Sequence, residues 1–193
     1  MKKLLPALLV VAALSACGSS DPATVASSSA SPSAGASDMT MPSGAPMTGE
    51  TCTKQPATVP PTATDTTSLT TKPVVTIPKT AAPCDLQTSD IVTGTGAAAK
   101  AGDALTVKYV GVLYADGKEF DSSWSRGPAE TFPFTLGAGA VIKGWDTGVA
   151  GMKAGGRREL TLPSSLAYGA QGQGSIPAGA TLVFVVDLVK IGA

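Results

Sequence analysis

Histidine is absent from the 193 residues, and cysteine occurs only three times. Without an imidazole there is no Ser–His or Cys–His pair to activate a nucleophile, and no side chain whose ordinary pKa suits proton transfer near neutrality. Cysteines this sparse, with no histidine beside them, make a poor ligand set, so no metal is expected. An excess of either charge is missing too. Lysine plus arginine and aspartate plus glutamate each total 14, for a formal net charge of zero. That balance gives no electrostatic footprint for nucleic acid and no polybasic patch for anionic lipid. Aromatic residues are scarce, at 5% of the chain, so the places where they gather carry information.

What is present divides the chain. Lys2 and Lys3 precede an apolar run from Leu4 to Leu14, too short to span a bilayer and typical of an export signal. The run ends in Leu14-Ser15-Ala16-Cys17, which resembles a bacterial lipobox. On that reading residues 1–16 are removed, and Cys17 carries a lipid that anchors the exported protein to the cell envelope. Lipidation of Cys17 leaves Cys52 and Cys84 as a pair for a disulfide in an oxidising compartment.

Residues 17–84 are dominated by Ala, Ser, Thr, Pro and Gly. Such a composition buries too little apolar surface to offset its ordering entropy, and it is expected to be a disordered tether. Val74-Val75-Thr76-Ile77 is its one β-like patch. The folded domain is expected from Asp85 to Ala193. Leu105, Val107, Tyr109, Gly111 and Leu113 recur with strand period, as do Leu182, Phe184, Val186 and Leu188, and Arg157–Leu162 reads as a shorter strand. Ile142, Trp145 and Val149 give the one good helical signal. The expectation is an α+β fold: a twisted antiparallel sheet of about five or six strands wrapped around one short helix.

Two glycine-rich runs are decoys. Gly94-Thr95-Gly96-Ala97-Ala98-Ala99 lacks a convincing strand before it and a helix after it, as a dinucleotide site requires. Gly169–Gly174 has no lysine to meet a phosphate. The aromatics Tyr109, Phe120, Phe132, Trp145, Tyr168 and Phe184 are each, singly, ordinary core volume. Together with Val141 and Ile142 around one short helix, they would form a concave apolar cup.

Residues from about Asp85 to Ile191 resemble the FKBP family of peptidyl-prolyl cis–trans isomerases. The resemblance rests on Tyr109-Val110-Gly111, Gly117 through Ser123, Phe132-Pro133-Phe134 with Leu136-Gly137, and Val141-Ile142-Lys143-Gly144-Trp145. Gly148-Val149, Gly151-Met152, Ala167-Tyr168-Gly169, Ile176-Pro177 and Ala180–Phe184 follow in the same order.

The resemblance implies isomerisation of X–Pro bonds in exported polypeptides, with no cofactor. It implies catalytic roles for Tyr109, Phe120, Asp121, Trp145 and Tyr168, and substrate contacts from Arg126, Phe132, Val141, Ile142, Ile176 and Phe184. Trp145 would floor the cup, Tyr168 would offer its hydroxyl to a substrate carbonyl, and Ile176 would cover the peptide. Expected partners are proline-containing exported polypeptides, macrolide ligands of the immunophilin type and a membrane reached through the lipid; the chain is expected to be a monomer. The rival reading is a non-catalytic module that holds proline segments. Three features depart from the family pattern: a longer spacing from Arg126 to Phe132, Ser175 where a bulky residue is usual, and Trp124 at the rim.

Overall fold

The computed structural model describes residues 52–56, 60–64 and 68–192. The export signal and Cys17 lie outside the described residues. Among the described residues, eight strands and one α-helix follow in order: β1 (Ala63–Thr64), β2 (Val74–Val75), β3 (Gln87–Val92), β4 (Ala104–Leu113), β5 (Glu119–Ser122), β6 (Phe132–Thr135), α1 (Lys143–Gly148), β7 (Gly156–Leu162) and β8 (Leu182–Gly192). Strands β3 to β8 form an antiparallel six-stranded sheet in the order β3-β7-β8-β4-β5, with β6 also paired to β4.

The long strand β4 organises this sheet. One edge runs along β8 from Ala104 to Leu113. The other edge is shared: residues 104–107 pair with β6, and residues 110–112 pair with β5. Between them the main chain of Tyr109 has no strand partner on that side. Ser123 closes the gap, its Oγ accepting from the Tyr109 amide at 3.0 Å, while Ser122 Oγ donates to the Tyr109 carbonyl at 3.2 Å. Two hydroxyls thus replace a missing ladder rung, as buried backbone groups require.

Period-two alternation carries the core onto one face. Leu105, Val107, Tyr109 and Leu113 from β4 meet Leu160, Leu162, Leu182, Phe184, Val186 and Leu188 there. The helix lies across them through Trp145 and Val149. Six residues are far too few for a helix to persist alone, so packing holds it. Gly144 and Gly148 face Leu162 and Leu160 so closely that an added Cβ would lie 2.6 Å and 2.8 Å from their methyl carbons. At the other end, Arg158 Nη1 donates to the Gly148 carbonyl at 2.9 Å and the Ala150 carbonyl at 3.1 Å, and its guanidinium also meets Asp90. That places a cation where the terminal carbonyls of the helix lack partners.

The expectation of a tether running to residue 84 needs correction. The described residues between Cys52 and Cys84 pack on the opposite face of the sheet as a strap. Cys52 and Cys84 are disulfide-bonded, with Cα atoms 4.9 Å apart. Thr53 bridges Pro83, and β1 pairs antiparallel with β2, so the β-like patch does pair locally. Val75, Ile77 and Ala82 cover Val110, Val112, Tyr114 and Val183. The folded unit therefore starts well before Asp85. The strap also explains why alternation fades after Lys108: both faces of the sheet are covered there, and the strand reads as a continuous apolar run.

The charged residues Arg157, Glu159 and Asp187 on the strapped face are paired rather than solvated. Arg157 and Asp187 form a buried two-point ion pair, with bonds of 2.5 Å and 2.7 Å. Glu159 accepts from the Thr62 amide, the Thr62 hydroxyl and the Ala63 amide at 2.9–3.1 Å. The order of the strap is thus set by partners far away in sequence, which its own composition does not disclose.

Candidate active site

A cavity of about 510 Å³ opens on the helix side of the sheet. It is lined by Tyr109, Phe120, Asp121, Phe132, Gly139, Ala140, Val141, Ile142, Trp145, Tyr168, Gln173 and Phe184. Strand β4 brings Tyr109, β5 brings Phe120 and Asp121, and β6 brings Phe132. The turn into α1 supplies Val141 and Ile142, the helix Trp145, and β8 Phe184. Tyr168 and Gln173 come from the loop before β8. Of the residues expected at a site, all of these but Gln173, Gly139 and Ala140 were legible in the sequence.

Trp145 is the floor, 4% exposed. Its indole meets Tyr109 and Phe184 edge-on with ring centres 5.3 Å apart, and Phe132 edge-on at 6.1 Å. Phe120 meets Phe184 edge-on at 5.5 Å. Edge-to-face contacts lock the rings against one another, so the cup is formed before any ligand enters. Its shape also needs glycine on β4: a Cβ at Gly111 would sit 2.7 Å from the Phe120 ring and 2.8 Å from that of Phe184.

One side of the mouth is polar. The Tyr109 hydroxyl donates to Asp121 Oδ2 in a short hydrogen bond, and Arg126 Nη1 donates to Asp121 Oδ1 at 3.2 Å. Arg126 Nη2 donates to the Tyr109 hydroxyl at 3.3 Å. The carboxylate also accepts the Ser122 amide at 2.8 Å. Arg126 is therefore joined to Asp121 and Tyr109 despite its longer spacing to Phe132, although it does not line the cavity itself. It gets there because Ser122 caps the 3-10 turn Ser123–Arg126 through the Trp124 amide, which returns the arginine beside β5.

Burial raises the Tyr109 pKa, an effect that the Arg126 hydrogen bond opposes and Asp121 reinforces. Burial also raises that of Tyr168, and the negative charge of Asp121 adds to it. Both phenols thus stay protonated and able to donate through the neutral range. The Tyr168 hydroxyl has no hydrogen-bond partner among the described residues, and neither has the buried Trp145 Nε1. The site holds fixed donors, an apolar floor and no nucleophile paired with a base. Such an arrangement can grip a ring and hold a carbonyl; it cannot form or break a covalent bond by acid–base relay.

Three expectations change. Ile176 is buried in the main core and does not line the cavity; its amide and carbonyl exchange hydrogen bonds with Gln173 across a tight turn. Ser175, which stands where a bulky residue is usual, is exposed and does not line the cavity. Gln173 lines the cavity instead while staying exposed, where the loop folds back on itself through the paired Gln173 and Ile176. Trp124 faces away from the cup, against the strap-covered cluster and beneath Lys108, whose Nζ is 4.4 Å from its ring centre.

A six-stranded antiparallel sheet curled on one short helix, with an aromatic cup between them, is the architecture expected of the family that the sequence resembles. Residues 96–189 match the family described as FKBP-type peptidyl-prolyl cis–trans isomerase. The FK506-binding protein of Streptomyces anulatus is 52% identical over 122 residues, which cover 62% of this chain and 97% of that protein. Among solved structures, AtFKBP13 superposes with a TM-score of 0.52 at 37% identity, covering 57% of this chain and 96% of that one. FkpA from Escherichia coli superposes with a TM-score of 0.50 at 39% identity, covering 61% of this chain and 51% of that one. The chain belongs to the FKBP-type peptidyl-prolyl cis–trans isomerases.

Proposed function

We propose that this protein accelerates X–Pro isomerisation in exported polypeptides while held to the cell envelope by a lipid on Cys17. The observation that carries the catalytic part is the pairing of a preformed aromatic cup over Trp145 with an unengaged Tyr168 hydroxyl at its rim. Phe132, Val141, Ile142 and Phe184 form walls for the proline ring, and Tyr109, Phe120 and Asp121 shape the side toward β5. Arg126 compensates the Asp121 charge. The proteins bound are proline-containing segments, macrolides of the immunophilin type compete for the same cup, and the enzyme works as a monomer.

The barrier of about 18–20 kcal/mol comes from amide resonance, which is lost as the C–N bond twists. A planar amide is more dipolar than a twisted one, so a dry apolar cup disfavours the ground state relative to the transition state. A fixed hydroxyl that holds the carbonyl adds orientation and charge complementarity. A thousandfold acceleration requires only about 4 kcal/mol. Nothing in that requirement calls for histidine.

The catalytic reading is tested by a protease-coupled isomerisation assay on an X–Pro tetrapeptide, run with the wild type and Tyr168→Phe. Catalysis that falls in the variant supports it. A folded wild type that binds the peptide but leaves the rate unchanged points to a holding module instead. The anchor is tested by mass spectrometry of the processed N-terminus: an unmodified Cys17 in exported protein would refute it.

A further inference from the structure

The first part of the strap, from Cys52, lies beyond what the Streptomyces relative shares. The alignment with the Streptomyces protein spans 122 residues and 97% of that protein, too short to reach from Cys52 to Gly192. Its anchorage is built into the sheet. Glu159 is 2% exposed and spends both carboxylate oxygens on Thr62 and Ala63. Arg157 donates to the Thr71 carbonyl at 3.0 Å, and the Cys52–Cys84 bond ties the two ends together. Both anchor side chains face away from the cup.

From these anchors the strap reaches strand β5. Lys72 Nζ lies 2.9 Å and 2.8 Å from the carboxylate oxygens of Glu119, the first residue of β5. Ile77 packs on the turn before it, where a Cβ on Gly117 would come 3.5 Å from Ile77 Cγ1. The Thr80 and Tyr114 hydroxyls are 3.1 Å apart on the same turn. Beyond the other end of β5, Trp124 joins Val75 and Ile77 on the cluster built from Val110, Val112 and Val183. Strand β5 has only four residues, pairs with one neighbour and slips register between Gly111 and Val112. Yet it carries Phe120 and Asp121. A short edge strand with an irregular ladder has little of its own to hold two cavity residues in place.

We propose that the strap is a positioning clamp for β5, anchored on Glu159 and latched by Cys52–Cys84, so that the cup binds a proline segment tightly only while the strap is seated. The clamp deepens the isomerase reading above and rests on it. Ile77 and Glu159 are positioning residues here, since they touch neither the substrate nor the rotating bond.

The test compares wild type, Glu159→Gln and the double variant Cys52→Ser with Cys84→Ser. It reads KM and kcat for an X–Pro peptide, the peptide Kd by fluorescence, and amide hydrogen exchange. The clamp predicts that KM and Kd rise on the order of threefold while kcat moves little. It also predicts faster exchange at residues 120–126, with β7 and β8 still protected. A strap whose amides exchange freely beside wild-type KM, Kd and protection at 120–126 overturns the proposal. Should a variant fail to fold, Ile77→Ala trims one contact on the turn and is read in the same way. A wild type that does not catalyse refutes the isomerase reading but not the clamp, which the peptide Kd still decides.

Discussion

A methyl group added at Gly144 sets two opposing effects of known size against each other. Alanine is favoured over glycine inside a helix by about 1 kcal/mol. Here, however, the new Cβ would lie 2.6 Å and 2.7 Å from the two methyl carbons of Leu162 and 3.0 Å from its Cγ. Leu162 has no exposure and is enclosed by the core, so it has no free side into which to swing. Overpacking of this kind costs about 1–3 kcal/mol, and an enclosed neighbour puts the cost toward the upper end. The net expectation for Gly144→Ala is a loss of about 1 kcal/mol or more.

The change should also reach the cup, because Trp145 is the next residue. A helix lifted by a few tenths of an ångström moves the indole away from Tyr109 and Phe184, and peptide affinity falls. Urea denaturation reads the stability, and a fluorescence titration with a proline peptide reads the affinity. Pairing Gly144→Ala with Leu162→Ala supplies the control. The truncation alone costs about 2–5 kcal/mol, but the double variant should lose less than the two singles combined, by about 1 kcal/mol. A Gly144→Ala protein as stable as wild type, with unchanged affinity, would refute the close seating of α1.

Other outcomes follow from particular side chains. Tyr168→Phe removes a hydroxyl with no internal partner, so stability should stay within about 0.5 kcal/mol while kcat/KM falls roughly tenfold; equal loss of both would contradict its role. Because burial raises the pKa of Tyr109 and Tyr168, kcat/KM should be flat between about pH 6 and 9, and a bell centred near neutrality would count against the site. The same shifts mean that both phenols hold their protons more tightly when folded. Their contribution to stability is complete below about pH 10 and is lost as pH rises through the raised folded values, which an alkaline denaturation series would detect. Asp187→Ala removes the carboxylate opposite buried Arg157 and should cost about 3–5 kcal/mol in chemical denaturation. Replacing both Cys52 and Cys84 by serine opens a loop spanning a sequence separation of 32 and should lower stability by about 3.7 kcal/mol if loop entropy dominates.

The parts of the site that were legible in the sequence share a physical cause. Tyr109, Phe184 and Trp145 sit in elements whose apolar period points them to one core, so local pattern and tertiary fate agree. The cup's composition follows from that agreement. Gln173 was not legible, since its place depends on how a glycine-rich loop folds back rather than on any period. The place of Ile176 depends on the same turn, which leaves Gln173 exposed along the cavity and sends the isoleucine into the core.

The strap shows the opposite limit. Its Ala, Thr and Pro content has no core of its own, and its order comes from Glu159, Arg157 and a disulfide, all remote in sequence or paired across the loop. The signal that could have revealed it lies in the partner strands. Arg157, Glu159 and Thr161 alternate with Leu160 and Leu162, and Val183 and Val185 face the same way as those polar groups. A sheet face carrying both valines and charges at such spacing is one that something covers.

The central claim is that a preformed cup over Trp145 lowers the barrier to X–Pro rotation. Exchange spectroscopy by NMR tests it most directly, by measuring cis–trans interconversion of an X–Pro peptide with a catalytic amount of the protein. The account predicts exchange cross-peaks that vanish when a macrolide ligand fills the cup and weaken with Tyr168→Phe. Peptide resonances that shift on binding but show no exchange, from a protein shown to be folded, would contradict it.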